Sequence, residues 1–154
     1  MPSSLTITIK AGKADAIDLL IELSREFYSG EEYPFDERAV RSALRQLCHD
    51  SRYGEVWLVH SGSHVAGYAT VTFGFSIEFG GRFTLLDELY IRPGFRGKGL
   101  GGHFLQLLID DYAGQGFGAM RLEVEQRNHR AIDMYDRLGF YRHKRSMMTK
   151  SLSF

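Results

Sequence analysis

Apolar and polar residues alternate from Leu5 to Lys10, with Leu5, Ile7 and Ile9 set against Thr6, Thr8 and Lys10. A period of two predicts a half-buried strand, and Gly12 ends it. From Ala14 the period lengthens. Ala16, Leu19, Leu20, Leu23 and Phe27 recur at helical spacing, and Gly30 stops them near a C-cap. Glu31 to Phe35 reads as a turn. Asp36 then N-caps a second helix with Val40, Ala43, Leu44 and Leu47 along one face. A β-rich run follows at 55–60, a glycine turn at Ser61-Gly62-Ser63, and a second run from Val65 to Phe79. Two such runs around a short turn predict a hairpin. Gly80-Gly81 turns the chain into a third run, Phe83 to Arg92, which Pro93 ends.

The second half changes character. A glycine-dense loop leads into a helix from about Leu100 to Ala113, with Leu100, Phe104, Leu107, Leu108 and Tyr112 as its stripe. Ala119 to Glu125 alternates again. A strand, a helix and a strand in that order predict a parallel pair. Asn128 caps a short helix through Leu138, with Gly139 at C′, and Phe140 to Phe154 carries one or two closing strands. The result is a mixed α/β domain around a central sheet.

Composition narrows the classes. The chain has 154 residues, the size of one domain spanning residues 1–154. Lys plus Arg and Asp plus Glu are both 19, so no net charge favours generic nucleic-acid binding. The one cysteine, Cys48, excludes an internal disulfide and a Cys-rich zinc site. No apolar run approaches the ~18 residues of a membrane helix. The first residues lack the basic and apolar regions of a signal peptide, so a cytoplasmic protein with no membrane partner is expected.

The loop carries the most information. Five of the nine positions from 94 to 102 are glycine: Gly94, Gly97, Gly99, Gly101 and Gly102. That many are entropically costly for a bland turn. Backbone N–H groups there approach a ligand unhindered, and a helix N-terminus adds about half a positive charge. Arg96 and Lys98 add full charges, which suits a phosphate or pyrophosphate. Gly97-x-Gly99-x-x-Gly102 matches a dinucleotide fingerprint literally, but that motif opens an early βαβ unit and too little chain follows here. A nucleotide P-loop fails at both ends, because Gly99 follows Gly97-Lys98 and Arg92 lies five positions before Gly97.

Arg96-x-x-Gly99-x-Gly101 resembles the R/Q-x-x-G-x-G/A motif of the GNAT acyltransferases. Asp87-Glu88-Leu89-Tyr90-Ile91-Arg92-Pro93 resembles the strand before that loop. Asn128-x-x-Ala131-x-x-x-Tyr135-x-x-x-Gly139-Phe140 resembles the family's later helix segment. The resemblance is strong over residues 83 to 141 and weak over 1 to 60. It implies a GNAT fold, a mixed and mostly antiparallel sheet of about six to seven strands flanked by about four helices. It implies acetyl-CoA as cosubstrate and no metal. The loop Arg96, Gly97, Lys98, Gly99, Leu100, Gly101 and Gly102 would hold the pyrophosphate. The backbone of Leu89, Tyr90 and Ile91 would pair with the pantetheine arm. Asn128, Arg130 and Ala131 would approach the far part of the cofactor, although Asn128 serves equally well as a helix cap.

Acetyl transfer to an amine needs a neutral amine, a donor for the oxyanion and a proton for the leaving thiolate. The resemblance gives the last task to Tyr135, whose phenol pKa near 10 is close to a thiol's. Asp87 and Glu88 are candidates for the base. An ideal pleat sends adjacent residues to opposite faces, and a bulge would change that, so the choice stays open. Glu31, Glu32 and Tyr33 between the first two helices are candidates for binding a cationic amine, with a solvated acidic loop as the bland alternative.

The remaining residues are expected to be structural. Phe73, Phe75, Ile77 and Phe79 alternate on one strand and are expected to pack in the core, with the lining of an apolar pocket as the alternative. Cys48 is expected to be a buried thiol. His60-x-x-x-His64 spans the hairpin turn and defines no metal site. The expected function is N-acetyl transfer to a primary amine, of a small cationic molecule, by direct attack in a ternary complex. A protein lysine or N-terminal acetyltransferase and a non-catalytic acetyl-CoA-binding module stay open as alternatives, as does a homodimer.

Overall fold

A computed structural model describes residues 6–153. Leu5, the first residue of the expected opening strand, lies outside them. The chain divides into two compact units, one ending at Glu123 and one beginning at Val124.

The first unit is a five-stranded sheet in the order β1-β2-β3-β4-β5. Strands β1 (Ile7–Ala11), β2 (Gly54–Ser61), β3 (His64–Ser76) and β4 (Gly81–Ile91) pair antiparallel, and β5 (Met120–Leu122) joins β4 in parallel. Helices α1 (Ile17–Gly30) and α2 (Glu37–His49) precede the hairpin, and α3 (Leu100–Gly114) links β4 to β5. The Asp36 side chain accepts from the Ala39 N–H at 3.2 Å, as an N-cap should.

Strand alternation divides the core. Val56, Leu58, Tyr68 and Tyr90 pack with Ile17, Leu20, Ile21 and Leu23 of α1 and Leu44 of α2. On the other face, Trp57 donates from Nε1 to the Tyr112 hydroxyl of α3 at 2.8 Å. Phe73 stacks edge-on against that same ring. Phe104, Leu105 and Leu108 of α3 are fully buried. Cys48 is half-buried against the α1–α2 core, and burial pushes its thiol pKa up.

Three expectations need correction. The described residues hold five strands, not six or seven, and 140–153 form none. That segment contains Arg142-His143-Lys144-Arg145, whose consecutive polar side chains give no period-two apolar face. Strand β5 is also shorter than the expected 119–125, because it pairs with only Thr84–Leu86 of β4. Finally, Phe75 and Ile77 are 76% and 93% exposed instead of packed in the core. Phe73 already meets Phe117, just past the end of α3. Two residues further along, β3 has run beyond the helix that covers its face.

The second unit holds α4 (His129–Arg137). The Asn128 side chain caps it by accepting from the Ala131 N–H at 3.2 Å. Its end is a Schellman motif. The Phe140 N–H donates to the Tyr135 carbonyl at 3.0 Å, and the Gly139 N–H donates to the Asp136 carbonyl at 3.1 Å. Gly139 sits at φ 90°, where a Cβ is strained.

Candidate active site

Thr70 pairs with Glu88, whereas its neighbour Val71 pairs with Leu86. Asp87 is therefore one extra residue in β4, a bulge. A bulge re-aims the side chains beside it. Here Asp87 and Glu88, which a regular pleat would send to opposite faces, line the same pocket of about 320 Å³. Tyr28 of α1, Val40, Ala43, Leu44, Gln46 and Leu47 of α2, and Thr70 and Thr72 of β3 form its other walls, together with Tyr53.

The two carboxylates differ in their partners. The fully buried Tyr68 donates its hydroxyl to Glu88 Oε1 at 3.1 Å. Burial raises the Glu88 pKa and the neighbouring Asp87 charge adds to the rise, while hydrogen bonding by Tyr28 and Tyr68 opposes it. Asp87 is also pushed up, first by burial and then by repulsion from Glu123. No side-chain hydrogen bond reaches its carboxylate among the described residues. Tyr28 and Tyr68 have phenol pKa values raised well above the usual range by burial and then by the Glu88 charge, so both remain protonated donors. Thr70 is 3% exposed, and its hydroxyl oxygen has no partner.

Among the described residues no strand pairs with β4 beyond Leu86 on its β5 side. Leu89 and Ile91 pair with Ala69 and Gly67 on the other side. An unpaired strand edge is a template for an extended ligand. The Tyr90 side chain is turned away into the core, where its hydroxyl donates to Glu26 Oε2 at 3.0 Å.

The strand runs into the glycine loop. Gly97 and Gly99 lie at φ 79° and 75°, and a Cβ built on Gly99 would meet open space. The first bond of the α3 ladder runs from the His103 N–H to the Gly99 carbonyl at 3.1 Å. The N–H groups of Leu100, Gly101 and Gly102 precede it, and the N-cap glycine has no side chain to satisfy them. Arg96 donates from Nε to the Ile91 carbonyl at 2.7 Å and rests over the Tyr90 ring. Lys98 is exposed. Open donors on a helix N-terminus beside an open strand edge fit a polyanion with an extended arm.

In the second unit Tyr135 is half-buried, with its ring edge-on to Phe140 at 5.7 Å. Burial raises its phenol pKa, which keeps it protonated near neutral pH. The Schellman bonds hold the Tyr135 backbone and the Phe140 ring together, so the tyrosine and the glycine-phenylalanine pair of the motif form one physical unit. Arg130 is exposed and Ala131 half-buried.

The acidic loop fares differently. Glu31 and Glu32 are exposed at the end of α1, Glu32 at φ 57°, and neither lines the pocket. Tyr33 stacks edge-on against Tyr28, which does line it. Tyr28, Tyr53, Thr70 and Thr72 carry no motif and were not foreseeable as wall residues. The described residues contain no group of three or more His, Cys, Asp or Glu that could hold a metal ion. No helix among them is long and apolar enough to cross a membrane.

The sequence profile of the acetyltransferase (GNAT) family matches residues 17–140. Thialysine N-epsilon-acetyltransferase of Bos taurus is 33% identical over 86% of this chain and 83% of its own length. L-methionine sulfoximine/L-methionine sulfone acetyltransferase of Pseudomonas paraeruginosa is 38% identical over 69% of this chain and 63% of its own. The chain spans between 39% and 83% of the length of such curated relatives. An integron cassette protein from the mobile metagenome of Cole Harbour Salt Marsh superposes with a TM-score of 0.83, at 28% identity over 94% of this chain and 90% of that one. The chain belongs to the GNAT acetyltransferase family. It is an acetyl-CoA-dependent acyltransferase with the mixed, mostly antiparallel sheet of that fold.

Proposed function

We propose that this chain acetylates the primary amine of a small cationic molecule, by direct attack in a ternary complex. The observation that carries this is the bulge at Asp87, which turns two carboxylates into one pocket beside an open strand edge. Bound acetyl-CoA supplies the activated acetyl group. The N–H groups that open α3, with Arg96 and Lys98, hold its pyrophosphate. The β4 edge around Leu89 and Ile91 aligns the arm, and a main-chain N–H there polarises the carbonyl.

The carboxylates divide the work. Glu88, whose charge two tyrosines stabilise, anchors the ammonium. Asp87, which accepts no such hydrogen bond, takes the proton. A pair of acids in unlike environments assigns its own roles in this way. Tyr135, by its place in the N-x-x-A-x-x-x-Y pattern, gives its hydroxyl proton to the departing sulfur. Asn128, Arg130 and Ala131 contact the far part of the cofactor on the same resemblance. The family profile runs across both units, which supports one catalytic domain.

Thiol release measured over a panel of primary amines tests this. Turnover with intersecting initial-velocity patterns is expected. Acetyl-CoA binding without thiol release would mean a non-catalytic binding module, and parallel patterns would mean an acyl-enzyme.

A further inference from the structure

We propose that the pocket selects a primary amine carried on an uncharged, straight aliphatic stem, with α2 as the wall along which the stem lies. This deepens the amine-acetylation reading above and rests on it.

The charged groups that line the pocket are Asp87 and Glu88, the anchor for a cationic head, and Tyr28, Gln46, Tyr53, Thr70 and Thr72 add neutral polar groups to an otherwise aliphatic lining. Val40, Ala43 and Leu47 follow one another at i, i+3 and i+7, so one stripe of α2 presents them together. Leu44 lies at the base of that stripe, 4% exposed, and ties the wall to the core. Ala43 is exposed and lines the pocket, so the wall is open where the smallest side chain stands.

The charge pattern sharpens the choice. Among the described residues the pocket is lined by two carboxylates and no cationic side chain. A ligand with its own carboxylate would enter a negative field and find no cationic partner, which is how a site rejects a wrong substrate. Those hydroxyls of a polyhydroxylated amine that lie against Val40, Ala43 and Leu47 would lose their hydrogen bonds. A methylene chain gains by burial against the same residues. The volume, about 320 Å³, lies at the small end of ligand sites, which suits a short stem.

The test compares kcat/KM for straight-chain primary amines of two to six carbons, their ω-carboxylated counterparts and an amino sugar. The wild-type chain should gain about fourfold per methylene until the pocket fills. An ω-carboxylate should cost more than tenfold against the amine of equal length. Ala43→Leu places a good helix former at an exposed position and fills the wall. It should lower kcat/KM for the six-carbon amine more than tenfold relative to the two-carbon amine. A flat dependence on length, or a preference for the carboxylated amines or the amino sugar, would overturn the proposal while leaving amine acetylation intact. No thiol release with any amine, from protein that binds acetyl-CoA, would overturn the underlying reading as well.

Discussion

Asp87→Asn keeps the size of the side chain and removes its charge. The wild-type Asp87 pKa is raised in the folded chain by burial and by Glu123. The folded state therefore holds that proton more tightly than the unfolded state does. The stability linked to it is fully present below the unfolded value, near 3.9, and is lost as pH rises through the folded value. Asparagine does not titrate. The stability difference, variant minus wild type, should thus climb as pH rises through that window and level off above it. Activity should move the other way. Loss of a positioned base lowers rate by about 10²–10⁴-fold, or roughly 2.7–5.5 kcal/mol at 1.36 kcal/mol per tenfold. Thermal melts from pH 3 to 9, with kcat/KM by thiol release, measure both. A melting-point difference, variant minus wild type, that stays flat or falls as pH rises through that window, or activity within about threefold of the wild type, would refute the reasoning.

Other substitutions probe separate parts. Tyr135→Phe should lower kcat with little change in acetyl-CoA affinity by calorimetry, and unchanged turnover would remove Tyr135 from the mechanism. Gly99→Asp places a charged side chain at φ 75° in the loop and should abolish acetyl-CoA binding; retained affinity would contradict the loop assignment. Gly139→Ala forces a Cβ into the left-handed region at the Schellman position and should cost about 1–2 kcal/mol in a denaturant melt, with an unchanged midpoint refuting the strain. Thr70→Val removes a buried hydroxyl that has no partner, so stability should hold or rise. A clear loss would mean that the hydroxyl is satisfied in solution.

Local patterns made much of the fold legible. Asp36 and Asn128 announced helix starts because a cap is a single-residue signal, and Gly139 announced an end for the same reason. The loop from Gly94 to Gly102 stood out because five glycines in nine positions are entropically costly for a bland turn. Whether β4 bulges at Asp87 stayed open in the sequence, because a bulge depends on the register between β3 and β4, which no local pattern records. The α2 face was half legible. Val40, Ala43, Leu44 and Leu47 formed one stripe, but a stripe that covers a core and one that walls a pocket have the same period. Phe75 and Ile77 misled for a related reason: alternation marks a face of a strand and does not tell where its covering helix stops.

The central claim is that acetyl-CoA and an amine meet in the carboxylate pocket and react there. Mass-spectrometric quantitation of acetylated amine against free thiol, for the wild type and Asp87→Asn side by side, tests it most directly. The account predicts equal amounts of the two products from the wild type and at least a hundredfold less of both from the variant. Thiol without acetylated amine, or equal turnover by the two proteins, would contradict it.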